Sequence, residues 1–248
     1  MVAVLLTGGL LAPAAMSSGA VLEIDGGAVP AAGGPTFVRI DGDTDLLEWR
    51  TSHGWEGNGT SGSPVVIDGA RIGGSAFFLG NISLFVSVKD VNATGSLSTS
   101  VWQAGAGVQL WNCSNVSLVR VRSYDNAYCG ILLQQCRDVI VRDGNVSAQG
   151  IGLVADEDCY GIQVLNNTFY DNGVGLSVSA QNSTIAWCDI IGNDGAGLVL
   201  QDGSSGNAVY RNAFLRNDAT GHSSLGRPAQ AVDNGTGNNW NRTGADLD

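Results

Sequence analysis

The sequence predicts a right-handed parallel β-helix, an all-β solenoid of about 22–23 residues per coil, and three observations carry that reading. First, a glycine followed by alternating apolar residues recurs five times: Gly107-Val-Gln-Leu110, Gly130-Ile-Leu-Leu133, Gly152-Leu-Val-Ala155, Gly175-Leu-Ser-Val178 and Gly197-Leu-Val-Leu200. The steps between these glycines are 23, 22, 23 and 22 residues. Second, each copy is followed by another apolar run, at 116–121, 139–141, 162–165, 184–187 and 208–210. Third, a shorter run ends at an asparagine, as in Asn167-Thr-Phe-Tyr-Asp-Asn172 and Asn212-Ala-Phe-Leu-Arg-Asn217. Three short strands per repeat with Gly, Asn and Asp at the corners cannot bury an apolar face alone, so the coils must stack. The runs are too short, too β-branched and too broken by Gly and Asn for helical repeats.

In chain order, an apolar core at 2–11 followed by small residues reads as an export signal. No basic residue precedes Arg39, so an N-terminal capping strand is the alternative for residues 1–20. Residues 21–75 form a capping region with the first strands, and residues 36–40 alternate like a strand. Asp41-Gly-Asp-Thr-Asp45 lacks the glycine and glutamate positions of a calcium-binding EF-hand and reads as an acidic turn. Coils are expected over 76–217, interrupted at 91–106 by a protruding loop. A C-terminal cap and tail occupy 218–248 and contain no clear strand before Asp233. The expected core comprises Leu110, Leu132, Leu153, Leu176 and Leu198, with Val141, Val164, Phe169, Ile190 and Phe214.

The chain has 248 residues, 44% of them hydrophobic, enough for one sizeable domain. Charged residues make up only 14% and the net charge is −11, so nucleic acid is excluded as a partner class. Beyond the N-terminus no stretch is apolar enough for a transmembrane helix. Ten Asn-X-Ser/Thr sequons add to the export signal in favour of an extracellular or cell-surface location. They begin at Asn58, Asn81, Asn92, Asn112, Asn115, Asn145, Asn166, Asn182, Asn234 and Asn241. Either they carry glycans, or the repeats copy them for turn chemistry.

Two flanking motifs carry a resemblance. Trp55-Glu-Gly-Asn-Gly-Thr60, Ser63-Pro-Val-Val-Ile67 and Gly69-Ala-Arg-Ile72 resemble the opening of archaeal surface proteins with NosD-like β-helix repeats, of the pectin-lyase-like superfamily. Asp233-Asn-Gly-Thr-Gly-Asn-Asn-Trp240 resembles their closing element, departing at Asn239 and after Trp240. The resemblance covers most of 36–243 and implies the fold; function has to come from a site.

The candidate sites are few. Cys113, Cys136 and Cys159 lie 23 residues apart, which stacks them as a ladder of small buried thiols or places them for an inter-coil disulfide. A copper or zinc centre lacks ligands, because the only histidines are His53 and His222, both in expected loops, and Cys-x-x-Cys is absent. No cofactor is expected, with calcium at Asp156, Glu157 and Asp158 as the exception. Arg120 and Arg142, one coil apart beside Asp143, are the places for lyase chemistry, with Arg122 and Arg137 nearby. Trp102, Trp111 and Tyr124 are candidates for stacking on sugar rings. Arginine is a poor base and the acids fall at corners. The sequence therefore reads as a non-catalytic structural, adhesive or glycan-contacting protein with polysaccharide or envelope components as partners. The alternative is a lyase or epimerase acting on uronic-acid polymers.

Overall fold

In a computed structural model, residues 38–97, 105–218 and 229–241 are described. The chain winds as a solenoid of stacked coils, each but the last contributing one strand to each of three parallel sheets. The first coils are β1 (Val38–Asp41), α1 (Asp43–His53), β2 (Val65–Asp68) and β3 (Arg71–Gly73), then β4 (Phe77–Gly80), β5 (Val86–Lys89) and β6 (Asn92–Thr94). Next come β7 (Ala106–Trp111), β8 (Val116–Val119), β9 (Arg122–Tyr124), β10 (Cys129–Gln134), β11 (Ile140–Arg142) and β12 (Asn145–Ser147). They are followed by β13 (Ile151–Ala155), β14 (Gln163–Leu165), β15 (Thr168–Tyr170), β16 (Val174–Val178), β17 (Thr184–Ala186) and β18 (Asp189–Ile191). The stack closes with β19 (Leu198–Leu200), β20 (Ala208–Tyr210), β21 (Ala213–Leu215), β22 (Ala231–Asp233) and β23 (Asn239–Asn241). Sheet 1 starts at β1 and takes every third strand, sheet 2 starts at β2 and sheet 3 at β3.

Register places like above like. Val108, Ile131, Leu153, Leu176 and Leu198 form one inward column of sheet 1, and Leu110, Leu133, Ala155, Val178 and Leu200 form another. Sheet 2 adds Leu118, Val141, Val164, Ile185 and Val209, and sheet 3 adds Val146, Phe169 and Ile190, all buried in one core. Burying such side chains stabilises by about 1.5–3 kcal/mol each. Glycine at the repeat start is dictated by this stacking. A Cβ on Gly152 would overlap the carbonyl oxygen of Gly175, and one on Gly175 that of Gly197.

The asparagines closing each repeat turn inward at the corner between sheets 3 and 1. Asn126, Gln149, Asn172, Asn193 and Asn217 are buried there in a column. Nδ2 of Asn172 donates to Oδ1 of Asn193 at 3.0 Å, and Nδ2 of Asn217 to Oε1 of Gln230 at 3.1 Å. Their backbone N–H groups donate to the same acceptors, which satisfies corner groups that a coil cannot pair itself.

The structure amends the following readings. Leu132 is buried as expected (5% exposed) but on the opposite face of its strand from the main core: it pairs with Gln109 and Val154 and packs in a separate small cluster with Ala106 and Cys129. In its repeat, Ile131 and Leu133 are the inward neighbours, and period-two alternation places the residue between them on the other face. Phe214 is only partly buried against the core, in the last complete coil. The acidic turn at 41–45 runs into helix α1, so His53 ends a helix rather than lying in a loop. Asp43 and Asp45 occupy the first turn of α1, where the helix dipole favours them, and left-handed Gly54 (φ 66°) closes it. Finally, the loop expected at 91–106 contains β6, and the tail contains β22 and β23, which continue sheets 1 and 2. The expected export segment, Trp102 and His222 lie outside the described residues.

Candidate functional site

The corner between sheets 1 and 2 carries a groove of about 350 Å³ lined by Asn81, Ile82, Ser83, Asn112, Cys113, Ser114, Gln135 and Arg137. Asn81, Asn112 and Gln135 end their sheet 1 strands in the left-handed region (φ 54°, 50° and 54°), a conformation that asparagine tolerates best among non-glycine residues. Left-handed turns stacked coil on coil line up their side chains. Nδ2 of Asn112 donates to Oδ1 of Asn81 at 2.7 Å, and Nδ2 of Asn81 donates to Oδ1 of Asp41 at 2.7 Å. Asp41 in turn takes the guanidinium of Arg39 at 2.5 Å. The other wall is anchored from α1: Asp43 accepts the backbone N–H of Ser83 at 2.8 Å and also its hydroxyl.

Ser114 and Arg137 lie on adjacent coils of a parallel bridge column that continues through Tyr160, Gln181, Ser205 and Thr236. The Arg137 guanidinium sits 5.1 Å from the Tyr160 ring centroid and has no carboxylate partner among the described residues. The groove thus offers amide and hydroxyl groups beside one unpaired cation held by an aromatic face. Such a set binds hydroxyls and carboxylates. Sequence reading named Arg137 only as a neighbour of Arg120. Its signal was the position directly after the cysteine repeat, where Ser114, Arg137 and Tyr160 recur at the 23-residue step.

Beneath this corner Cys113, Cys136 and Cys159 follow one another coil by coil, and all five cysteines are free and buried. Sγ of Cys113 donates to the carbonyl of Leu79 at 3.3 Å, and Sγ of Cys136 to that of Gln134 at 3.2 Å. The backbone N–H of Cys136 donates to Sγ of Cys159 at 3.4 Å. The hydrogen bond with Cys113 and burial push the Cys136 thiol up to about 12, and contact with Cys136 together with burial raises Cys159 further.

Sheet 2 ends in its own left-handed column of Asp90, Arg120, Asp143, Asn166, Trp187 and Arg211. Here Arg120 grips Asp90 with two hydrogen bonds, of 2.7 and 2.6 Å, so the Arg120 guanidinium is held above its ordinary pKa and Asp90 below its own. Arg142 donates to Oδ2 of Asp143 at 2.6 Å, and Asn166 donates to the other oxygen at 2.8 Å. Both arginines are engaged in exposed ion pairs, Arg120 with the corner of the preceding coil and Arg142 with the adjoining residue of its own corner. Asp156 is turned back into the coil, where Oδ1 accepts the backbone N–H of Gln135 at 3.1 Å and burial raises its pKa. Among the described residues no group of three or more His, Cys, Asp or Glu side chains is arranged to hold a metal.

His53, the last residue of α1, stacks on Trp49 (ring centroids 4.9 Å apart) and tilts against Trp55 at 5.3 Å, far in sequence from the other candidates. Trp111 and Tyr124 are half-buried at the ends of β7 and β9. Of the sequon asparagines, Asn81, Asn112, Asn115, Asn166 and Asn182 all hold left-handed corners.

The chain matches the family described as periplasmic copper-binding protein (NosD) over residues 38–246. No curated protein matches it in sequence. Among solved structures, a periplasmic alginate epimerase is similar with a TM-score of 0.49 and 13% identity, covering 75% of this chain and 55% of that one. The mannuronan C-5 epimerase A-module of Azotobacter vinelandii gives 0.43 and 16%, covering 72% and 58%. An alginate lyase from Paenibacillus sp. gives 0.32 and 15%, covering 84% and 96%. The chain spans little more than half the length of the two epimerases. At these identities the likeness concerns fold alone, and none of these matches supports the archaeal origin suggested by the flanking motifs.

Proposed function

The chain belongs to the NosD family of periplasmic copper-binding proteins, and from that premise we propose that it is a non-catalytic β-helix of the cell envelope that holds an anionic saccharide in the groove at Arg137. The observation that carries this reading is the contrast between the arginines. Arg120 and Arg142 are neutralised by Asp90 and Asp143, whereas Arg137 stands among Asn81, Asn112, Ser114 and Gln135 with its charge uncompensated. Amides, hydroxyls and one guanidinium bind a uronate without supplying a group that removes a proton from carbon. The family description supports a place in the envelope, which narrows the extracellular or cell-surface reading of the sequence. No helix among the described residues is long and apolar enough to cross a membrane.

Copper is the metal the family description implies, and the described residues do not fit it. A soft copper(I) centre needs accessible thiolate, thioether or imidazole donors. Here the Cys113 and Cys136 thiols are buried donors to backbone carbonyls, and Cys136 is held protonated up to about 12. His53 is exposed with its Nδ1 bonded to the carbonyl of Trp49, but it is a lone imidazole: no group of three His, Cys, Asp or Glu side chains is assembled among the described residues. No step of the proposed function passes through a metal.

Calorimetry of the full chain with oligogalacturonate tests the reading: saturable binding is expected, weakened about tenfold in Arg137→Gln. Incubation with pectate or alginate, with and without calcium, is expected to yield neither unsaturated uronide nor a C5-epimerised product. Turnover that disappears in Arg120→Ala or Arg142→Ala would establish the lyase or epimerase reading instead.

A further inference from the structure

A second cluster lies on the corner between sheets 2 and 3. In the left-handed column that ends sheet 2, five of the six non-glycine positions hold Asp, Asn or Arg, and the sixth holds Trp187 at φ 55°. A bulky residue at positive φ is a backbone outlier with an energetic cost. The indole gains no compensating burial, since it is 45% exposed. Its neighbours fix its position nonetheless. The Tyr210 and Trp187 rings form a T-shaped pair with centroids 5.2 Å apart and planes at 80°, and the Arg211 guanidinium lies 5.8 Å from the Trp187 centroid. Tyr210 pairs with Ala186 across the sheet, so both partners come from the following coil and leave the side toward Asn166 clear of them. Arg211 has no acidic partner among the described residues, on a chain of net charge −11.

We propose that Trp187, Tyr210 and Arg211 form a second saccharide-binding platform, specific for a pyranose ring that carries a carboxylate. The exposed indole face supplies the apolar surface on which the C–H side of a sugar packs. Arg211, steadied by the ring, supplies a donor pair that matches a carboxylate. A neutral sugar would engage only the ring. An apolar protein partner is disfavoured, because the cluster is two rings beside a charge and hydrogen-bonded polar corners rather than a continuous apolar patch. The platform and the Arg137 groove lie on different corners of the coil, so either can fail without the other.

The test uses the Arg137→Gln background, which removes the groove's cation, and follows heat of binding by calorimetry, with tryptophan emission recorded alongside in the variants that keep Trp187, during titration with oligogalacturonate and with an uncharged oligosaccharide of equal length. The acidic ligand is expected to quench emission saturably and to bind at least about tenfold more tightly than the uncharged one. Arg211→Gln is expected to abolish that preference. Trp187→Asn places a residue suited to the left-handed corner, so the melting temperature should hold or rise while binding is lost. Equal affinity for both ligands, or full affinity in Trp187→Asn, would overturn the proposal. A folded Trp187→Asn variant with lowered melting temperature and intact binding would mean that the ring is structural.

Discussion

Nδ2 of Asn193 donates to Oδ1 of Asn217 one coil further on, at 2.8 Å, and both side chains are buried. The same Nδ2 also donates to the carbonyl of Phe169 at 3.2 Å, and Oδ1 of Asn193 accepts two donors from Asn172. Asn193→Ala therefore strands partners in the coils before and after it. A buried group left unpaired costs about 1–3 kcal/mol, and several are affected at once. Denaturant unfolding is expected to show a loss of at least about 2 kcal/mol. A loss below about 0.5 kcal/mol would mean that water replaces the ladder.

Leu176 and Leu132 provide a direct check on register. Leu176 lies in the inward column between Leu153 and Leu198, and Leu176→Ala is expected to cost about 2–5 kcal/mol. Leu132 is buried in the smaller, separate cluster with Ala106 and Cys129, edged by the partly exposed Tyr128, Ile151 and Val154 that can close over a void, so Leu132→Ala should cost less. Equal losses would contradict the assignment of faces.

The fold was legible because each coil repeats the same steric requirement. Glycine is needed at Gly152 and Gly175, where the next coil's carbonyl leaves no room for a Cβ, and asparagine at the inward corner. What stayed hidden has physical reasons. Helix α1 buries only Leu46, so it leaves no apolar period to read. Leu132 was misplaced because leucine occurs at both phases of the glycine-anchored copies, and composition alone does not give parity. Arg120, Arg142 and Arg137 look alike in sequence. Their difference lies in the partner each one meets: Asp90 on the preceding coil for Arg120, the adjoining Asp143 of its own corner for Arg142, and the Tyr160 ring on the following coil for Arg137.

Asp156 makes the stability depend on pH in an unusual direction for a carboxylate. Burial raises its pKa in the folded state above the unfolded value. Folding therefore favours the protonated form, and this contribution is fully present below the unfolded pKa and lost as pH rises through the folded one. Asp156→Asn keeps an Oδ1 acceptor for the Gln135 N–H and removes the desolvated charge. The variant is expected to melt at or above the parent temperature at pH 7, with the advantage fading on acidification. Asp90 has the opposite sign: the hydrogen bonds from Arg120 lower its pKa, and its contribution disappears as pH falls through that lowered value. Being an exposed pair, it is also screened by salt. A gain for Asp156→Asn that grows below pH 4 would show the assignment to be wrong.

The thiols provide the sharpest test of the copper argument, because accessibility and metal retention are measured independently. All five cysteines are buried, and burial, with the charge of Asp189 beside it, pushes Cys188 up to about 11 while Cys136 reaches about 12. Reaction with a thiol reagent needs an exposed thiolate. At pH 8 the native protein is therefore expected to react slowly at every cysteine, and the denatured chain rapidly at all five. Ligation of copper(I) by Cys136 and Cys159 would require both protons to leave and the hydrogen bonds from Cys136 to the carbonyls of Leu110 and Gln134 to break. Copper(I) added to the protein is expected to pass entirely to a competing chelator, with no difference between the parent and Cys136→Ser. Retention of one equivalent against that chelator, lost in Cys136→Ser or Cys159→Ser with the melting temperature unchanged, would show that the column opens to the metal. The family's copper chemistry would then run through these thiols.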